Sequence, residues 1–575
     1  MTAIIPERRD NLVIENIRPL VNAGKYALKR EPGDMVVVQA DIFRHSHEKY
    51  DAAILYRHSG KKKWEQAPMV FVDNDEWEGS FQVKSIGYYE YKVIAWTLKP
   101  EDKTPTESPV FEVRVDPLYS RFGSWYEMFP RSQGTDPKKS GTWDDCIRRL
   151  PDILNMGFDT IYLVPIHPIG KTNRKGANNS LKAKPGEPGC PYAVGSSKGG
   201  HMAVDPDLGT MKDFERFSKA CRSSGVRLAL DLALNCSPDH PYVKSNEEWY
   251  CHEADGSIKF AENPPKKYED IYPFDYYNDN YKALWQEIRD VILFWVEKGF
   301  EIFRIDNPHT KPYPFWEWLI RDVKEKHPEV IFLAEAFTRP KMMHHLGKIG
   351  FDQSYTYFTW RTEKWEIEEY LKELTQSPAK EYMRGLFFPT TPDIFPKHLH
   401  HAPASAFKQR VLLAATLSSV YGIYNGYELC ENEPFPNKEE LNFSEKYQYM
   451  THDWNAPGNI KDFIRRINDL RKREPALQEY DNLRFHTCEN PQIIVYSKRL
   501  AAENSTVLAV VNLDANNKQS GMLKINMADL GLTDSDFYFV KDSLTSESYV
   551  WKGSENFVIL DPAKSPGHLF TVLKA

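Results

Sequence analysis

The sequence predicts an α/β protein: a (β/α)8 TIM barrel flanked by N-terminal and C-terminal β-sandwich domains. Three observations carry this. From about Gly123 to Arg473, apolar runs alternate with amphipathic stretches of helical period, which calls for a parallel sheet with helical crossovers. The roughly 350 residues of that region suit an eightfold barrel with enlarged loops, with a doubly wound open sheet as the alternative. On both sides the chain reads as short strands separated by turn residues. The expected domains are residues 1–117, 118–474 and 475–575.

Taken in order, the N-terminal strands are "DMVVVQADIF", "DAAILYR", "SFQVKSI" and "YYEYKVIAW". A Pro- and charge-rich link, "TLKPEDKTPTESP", follows at 97–109, and the style changes after Pro117. In the barrel region "TWDDCIRRLPDILNMG" precedes "FDTIYLVPI", "TMKDFERFSKACRSSG" precedes "VRLALDLAL", and "YKALWQEIRDVILFWVEKG" precedes "FEIFRID". Leu284, Ile288, Val291 and Trp295 recur at helical spacing, and Gly299 supplies the stop. "FWEWLIRDVKEKHPEV" then leads into "IFLAEAF", its tryptophans reading as the buried face of a barrel helix. The last strands are "PQIIVYSKR", "STVLAVVNL", "YVWKG" and "LFTVLKA".

Composition narrows the function. The 575 residues carry 74 basic and 81 acidic side chains, a formal charge of −7, with no basic tract to suit nucleic acid or an anionic membrane. Seven scattered cysteines without a C-x-x-C pair point to reduced thiols in a cytoplasmic protein. The opening residues lack an apolar signal core, and no apolar run is long enough to span a membrane. Aromatic content of 13% suits stacking on sugar faces, as it also suits a large core.

In a barrel of this kind, reactive groups stand at the carboxyl ends of the strands. Asp306 ends one strand and Glu335 the next, and Asp231 and Asp393 fall at comparable rim positions. Arg304 shares a face with Asp306 in a strand of period two, where a guanidinium keeps a carboxylate ionised. One carboxylate to attack an anomeric carbon and one protonated carboxyl to serve the leaving oxygen are what a retaining glycoside enzyme needs. The loop "ENPPKKYED" adds an amide, an ammonium and a phenol, donors suited to a phosphate monoester. His309 reads equally as a sugar contact or a packed loop residue. "GKTNRKGANNS" lacks the order of a nucleotide phosphate loop, and "HLHHA" and "HH" lack partners at ligand spacing, so neither a cofactor nor a metal is expected.

"LDLALN", "FRIDNPH", "FLAEAF" and "TTPD" resemble the four ordered signature regions of glycoside hydrolase family 13, the α-amylase superfamily. "PIHPIGKTNRKGANNS", "NCSPDHPYV", "ENPPKKYEDIYP", "RIDNPHTKPYPFWEWLI", "FLAEAFTRPKMM" and "FDQSYTYFTWR" resemble, more narrowly, the bacterial α-1,4-glucan:maltose-1-phosphate maltosyltransferases. The resemblance runs from about Arg121 to Trp454 and resumes near the C-terminus. It implies a barrel enzyme that uses maltose 1-phosphate as donor and an α-1,4-glucan as acceptor, and that releases inorganic phosphate. Asp306 would be the nucleophile, Glu335 the acid and then the base, Asp393 the third acid, and Arg304 the support of the nucleophile. Asn263, Lys266, Tyr268 and Asn307 would hold the phosphate, and Lys175 would line the sugar end.

Two features depart from the family. Asn235 stands where its members usually carry Gln, which shortens a donor contact by one methylene. The short link at 97–109 replaces a long helical insertion that helps make the family's dimer, so the oligomeric state stays open, a homodimer included. An amylase-type hydrolase or disproportionating enzyme on α-1,4-glucans is the alternative, and a catalytically silent glucan-binding scaffold is a third reading that the intact acids oppose.

Overall fold

The computed structural model describes residues 12–45, 48–98, 105–263 and 266–574, with the side chains of Asn263 and Lys266 outside the description. Residues 99–104 of the Pro-rich link also lie outside the described residues.

The N-terminal strands join into one hydrogen-bonded path: Val13–Arg18, Met35–Phe43, Glu76–Gln82, Glu65–Asp73, Tyr50–His58, Gly87–Thr97, Phe111–Val115 and Leu28–Arg30. The path curls into two layers. Phe81 stacks on Tyr56 at 4.5 Å and lies 5.8 Å from Tyr91, although their strands are not ladder neighbours. Alternation directs this burial: Val36, Val38, Ala40 and Ile42 are buried while Met35 and Val37 face solvent. The C-terminal strands form an eight-stranded path in which Val495, Leu508 and Val510 share a core with Leu523 and Val558 from its far end.

Between them stands a closed barrel of eight parallel strands, as expected. The strands are β1 (Gly123–Met128), β2 (Thr160–Leu163), β3 (Arg227–Leu232), β4 (Ile302–Asp306), β5 (Ile331–Glu335), β6 (Gln353–Tyr355), β7 (Gly385–Phe387) and β8 (Val420–Tyr424). The crossover helices include α1 (Trp143–Asn155), α2 (Met211–Ser223), α3 (Tyr281–Glu297) and α4 (Tyr313–Lys326). Capping boxes from Thr142 to Asp145 and from Thr210 to Asp213 start α1 and α2. Leu284, Ile288, Val291 and Trp295 form the buried stripe of α3, and Gly299 follows its end at φ 101°. On α4, Phe315, Trp316 and Leu319 are buried, as expected for the core-facing side, while Trp318 is only partly buried against the core. Long loops after β2, β3, β7 and β8 gather at the carboxyl rim. Among the described residues no helix is long and apolar enough to cross a membrane.

The N-terminal sheet is tied to the barrel by buried charge. Arg114, at the end of the sheet, donates to Asp116 and to Asp352, each at 3.0 Å. Lys324 on α4 reaches the same two carboxylates at 2.9 and 2.8 Å. Burial alone would raise Asp116, but Arg114 and Lys324 hold it well below the usual carboxylate range. Breaking one member of such a set leaves a buried charge unpaired. Arg114→Met is therefore expected to destabilise the protein by roughly 3–5 kcal/mol, seen as a lower midpoint in thermal or urea unfolding.

Candidate active site

The ladder register sets the site. Across β3 and β4, Asp231 pairs with Arg304; across β4 and β5, Asp306 pairs with Glu335. Arg304 and Asp306 sit two residues apart on one face, so one buried guanidinium reaches all three acids. Its Nη1 donates to Asp231 Oδ1 at 3.1 Å and to Asp306 Oδ1 at 3.0 Å, and its Nη2 lies 3.7 Å from Glu335 Oε1. Tyr162 and Tyr192 donate to the other oxygen of Asp231 at 2.6 and 2.7 Å.

Confinement separates the protonation states. Burial pushes the Glu335 carboxyl up to about 7, against the pull of Arg304 and with help from the like charge of Asp306. Burial raises Asp231 to about 6, again against Arg304. Glu127, on β1, is driven well above the carboxylate range by burial, and its Oε2 has no hydrogen-bond partner among the described residues. The pattern is one of a neutral acid beside an acid held by a cation, the separation that general acid catalysis needs.

The turn after β4 explains its residues. Asn307 adopts a left-handed conformation, φ 45° and ψ 54°, which Asn tolerates better than most side chains. Its backbone N–H donates to Glu335 Oε2 at 3.0 Å, and its side-chain amide lies 3.4 Å from Asp306 Oδ2. Trp316 Nε1 donates to the Pro308 carbonyl at 2.9 Å and anchors the turn to α4.

These groups open into a cavity of about 730 Å³, lined by Asp306, Glu335, Asp393, Asn307, Asn235, Lys175 and Tyr268. Arg304 lies beneath it. Lys175 is buried and paired with Glu269 at 2.6 Å. Asn235 is in the short strand that pairs with Tyr272–Pro273. Asn263 and Lys266 are register partners in a short antiparallel pair, Ala261–Asn263 with Lys266–Tyr268, whose Tyr268 reaches the cavity. His309 also lines the cavity and is half-buried.

Asp393 differs from its expected placement at a strand end. It stands on the loop after β7, with β6 between it and the Asp306–Glu335 pair. An ion pair with Lys446 holds it at the cavity wall. Lys446 also lies 4.5 Å over the Tyr192 ring, and although burial works against its charge, Asp393 keeps it well above its ordinary value. Sequence reasoning missed Lys446, Tyr192, Glu127 and Lys311. Glu127 was the most accessible of these, an acid inside the apolar run of a barrel strand.

A second buried group, His201, Cys236 and His240, has metal-binding residue types within 4.8 Å. Its imidazoles are already engaged. His240 Nδ1 accepts from Tyr242 N at 3.1 Å, His240 Nε2 meets His201 Nδ1 at 3.1 Å, and His201 Nε2 meets the Ala233 carbonyl at 2.9 Å. A single tautomer chain satisfies all three contacts. Burial lowers both histidines, to about 4 for His201 and about 2 for His240, so they serve as neutral links between loops.

The chain matches family models described as "Alpha-1,4-glucan:maltose-1-phosphate maltosyltransferase, domain N/S" over residues 10–100, "Alpha amylase, catalytic domain" over 127–286 and "GLGE, C-terminal" over 485–572. It is 43% identical to a protein of Methylacidiphilum infernorum named alpha-1,4-glucan:maltose-1-phosphate maltosyltransferase, covering 98% of this chain and 96% of the relative. A protein of the same name from Rhodospirillum rubrum is 42% identical, covering 98% and 95%. The alignment with the first spans 640 positions, more than the 575 residues here, so that relative carries segments this chain lacks. Among solved structures, an alpha-amylase from Lactobacillus plantarum superposes with a TM-score of 0.62 at 21% identity, covering 79% of this chain and 99% of that one. At that identity the likeness speaks for the fold alone.

The electrostatics make a direct prediction. Carboxyl NMR of 13C-labelled glutamate is expected to show a titration near pH 7 that disappears in Glu335→Gln. It should move to higher pH in Arg304→Met, because removing the cation favours the protonated form.

Proposed function

The chain belongs to the α-1,4-glucan:maltose-1-phosphate maltosyltransferase family, and on that premise we propose that it moves maltosyl units from α-maltose 1-phosphate to the non-reducing end of α-1,4-glucans. The observation that carries the reading is the Asp306–Asn307 turn. It places a carboxylate and a hydrogen-bonding amide side by side in one cavity, next to a second acid whose pKa is raised to about 7.

In the proposed reaction the Asp306 carboxylate attacks the anomeric carbon on the face opposite the phosphate. Glu335 gives its proton to the bridging oxygen as the bond to phosphate breaks. A β-maltosyl ester of Asp306 forms and inorganic phosphate departs. Glu335, now a carboxylate, takes the proton from the acceptor hydroxyl as that oxygen attacks the anomeric carbon; the bond from that carbon to Asp306 breaks, and the carboxylate is freed with net retention. Arg304 donates to Asp306 Oδ1 and orients the nucleophile, and Asp393 and Asn235 hold sugar hydroxyls, with Lys175 at the far sugar end. Asn307 and Tyr268 would hold the phosphate, with Asn263 and Lys266 completing its shell.

We read the chain as three domains, 1–117, 118–474 and 475–575, with the two sandwiches buttressing the barrel. All seven cysteines are free, which suits a cytoplasmic enzyme. Assembly as a homodimer would have to use a surface other than the long insertion of the family.

The test is phosphate release from α-maltose 1-phosphate with and without maltohexaose, with the sugars followed by mass spectrometry. Acceptor-dependent release with glucans growing by two glucose units is expected. Shortening of maltohexaose without donor, and no phosphate release, would favour the amylase-type alternative. Asp306→Ala is expected to abolish transfer. Lys266→Ala is expected to raise the donor KM about tenfold or more, the loss of one charge-assisted contact of roughly 1.5–3 kcal/mol.

A further inference from the structure

Lys311 lies five residues beyond Asp306, on the far side of the turn that leaves β4, and it is almost fully buried. A buried ammonium needs partners. Here they are two main-chain carbonyls: Nζ donates to Asp306 O at 3.0 Å and to Asn307 O at 3.1 Å. The Asn307 carbonyl also accepts from Thr310 Oγ1 at 2.8 Å. Asp306 is the last residue of the β4 ladder, and Asn307 lies beyond it.

The grip has a geometric consequence. Asn307 is in the left-handed region, a conformation that carries a cost for any side chain and persists only where its surroundings impose it. Holding the carbonyls on both sides of Asn307 orients the two peptide planes that flank it. One of those planes carries the N–H that reaches Glu335 Oε2 at 3.0 Å.

We propose that Lys311 is a positioning residue for maltosyl transfer: it clamps the Asp306–Asn307 turn and thereby aims the Asn307 N–H at the acid/base Glu335 while keeping Asp306 in register with it. This rests on the reaction proposed above, and it assigns Lys311 no contact with the reacting atoms. Two charged groups face the ammonium besides its carbonyls, Asp306 and Glu335, which support its charge, while Arg304 opposes it and burial brings its pKa down to about 8. His309 adjoins it and is itself lowered by burial and by Lys311. Glu335 in turn is faced by Arg304, Asp306, Asp393 and the Asn307 N–H.

The test compares Lys311→Met with wild type, following kcat against pH with α-maltose 1-phosphate and maltohexaose. Removing the ammonium and loosening the N–H contact both favour the protonated form of Glu335. Since Glu335 must be protonated for the first step, activity is lost as pH rises through its pKa, and that alkaline limb is expected to move to higher pH. The fall in kcat should be on the order of 10–100-fold, the scale of a misplacement near 1 Å, with little change in donor KM. With α-maltosyl fluoride, whose leaving group needs less protonation, the fall should be smaller. A variant that merely loosens the site would admit water, lower Glu335 and move the limb downward. That result, an unmoved limb, or an unchanged kcat would overturn the proposal. Lys311→Arg, which keeps the charge and donors, should restore the limb toward wild type even if its bulk lowers kcat. An upward limb in this variant equal to that of the Met variant would also count against the clamp. If wild type itself releases no phosphate, the proposed reaction fails before the clamp is tested.

Discussion

One buried guanidinium organises the acidic rim of the barrel. Arg304 has three carboxylates within reach, and even with the Lys311 ammonium facing two of them, two cations stand against three buried acids. The excess must be carried as protons, and burial decides which groups carry them. Glu335, at about 7, keeps its proton where Asp306, bonded to Arg304, has the cation beside it. Glu127, still deeper, is held as a neutral acid. The raised pKa of Glu335 therefore comes from burial and from the like charge of Asp306, against the pull of the shared arginine.

That arrangement works only if the strands hold their register. A slip of one residue in β4 would turn Arg304 and Asp306 away from the rim together. The barrel resists this because its closed ladder leaves no strand free, and the layer of Trp125, Tyr162, Ile302 and Leu333 fills its interior. Outside, the Arg114–Asp116–Lys324–Asp352 set joins the N-terminal sheet to α4 and to the start of β6. The helix that carries this junction also carries Trp316, whose indole holds the Pro308 carbonyl. The sandwich and the turn after β4 thus bear on opposite ends of α4.

Loops supply what the strands cannot. The turn after β4 is anchored by Lys311 and Trp316, and the wall opposite it by the Lys446–Asp393 pair over Tyr192. The His201–His240 link joins the loops after β2 and β3 by neutral hydrogen bonds. The Lys446–Asp393 and His201–His240 contacts connect segments distant in the chain, whereas Lys311 and Trp316 close a turn only a few residues away, and each fixes a group that lines or borders the cavity.

By itself the sequence determined the barrel, its two flanking sheets and the acids at its rim. Periods of 3.6 and 2 are local properties, and a strand of period two must place Arg304 and Asp306 on one side. Asn307 was legible for the same reason, as an amide fixed next to a strand-end acid. Tertiary structure alone decided that Asp393 comes from a loop and is held by Lys446, 53 residues further on. It alone decided that Glu127 is buried without a partner and that Lys311 folds back on the turn before it. Such facts depend on loop closure and on the exclusion of water from a shared interior, and neither burial nor a contact between distant segments is written in the local pattern of residues.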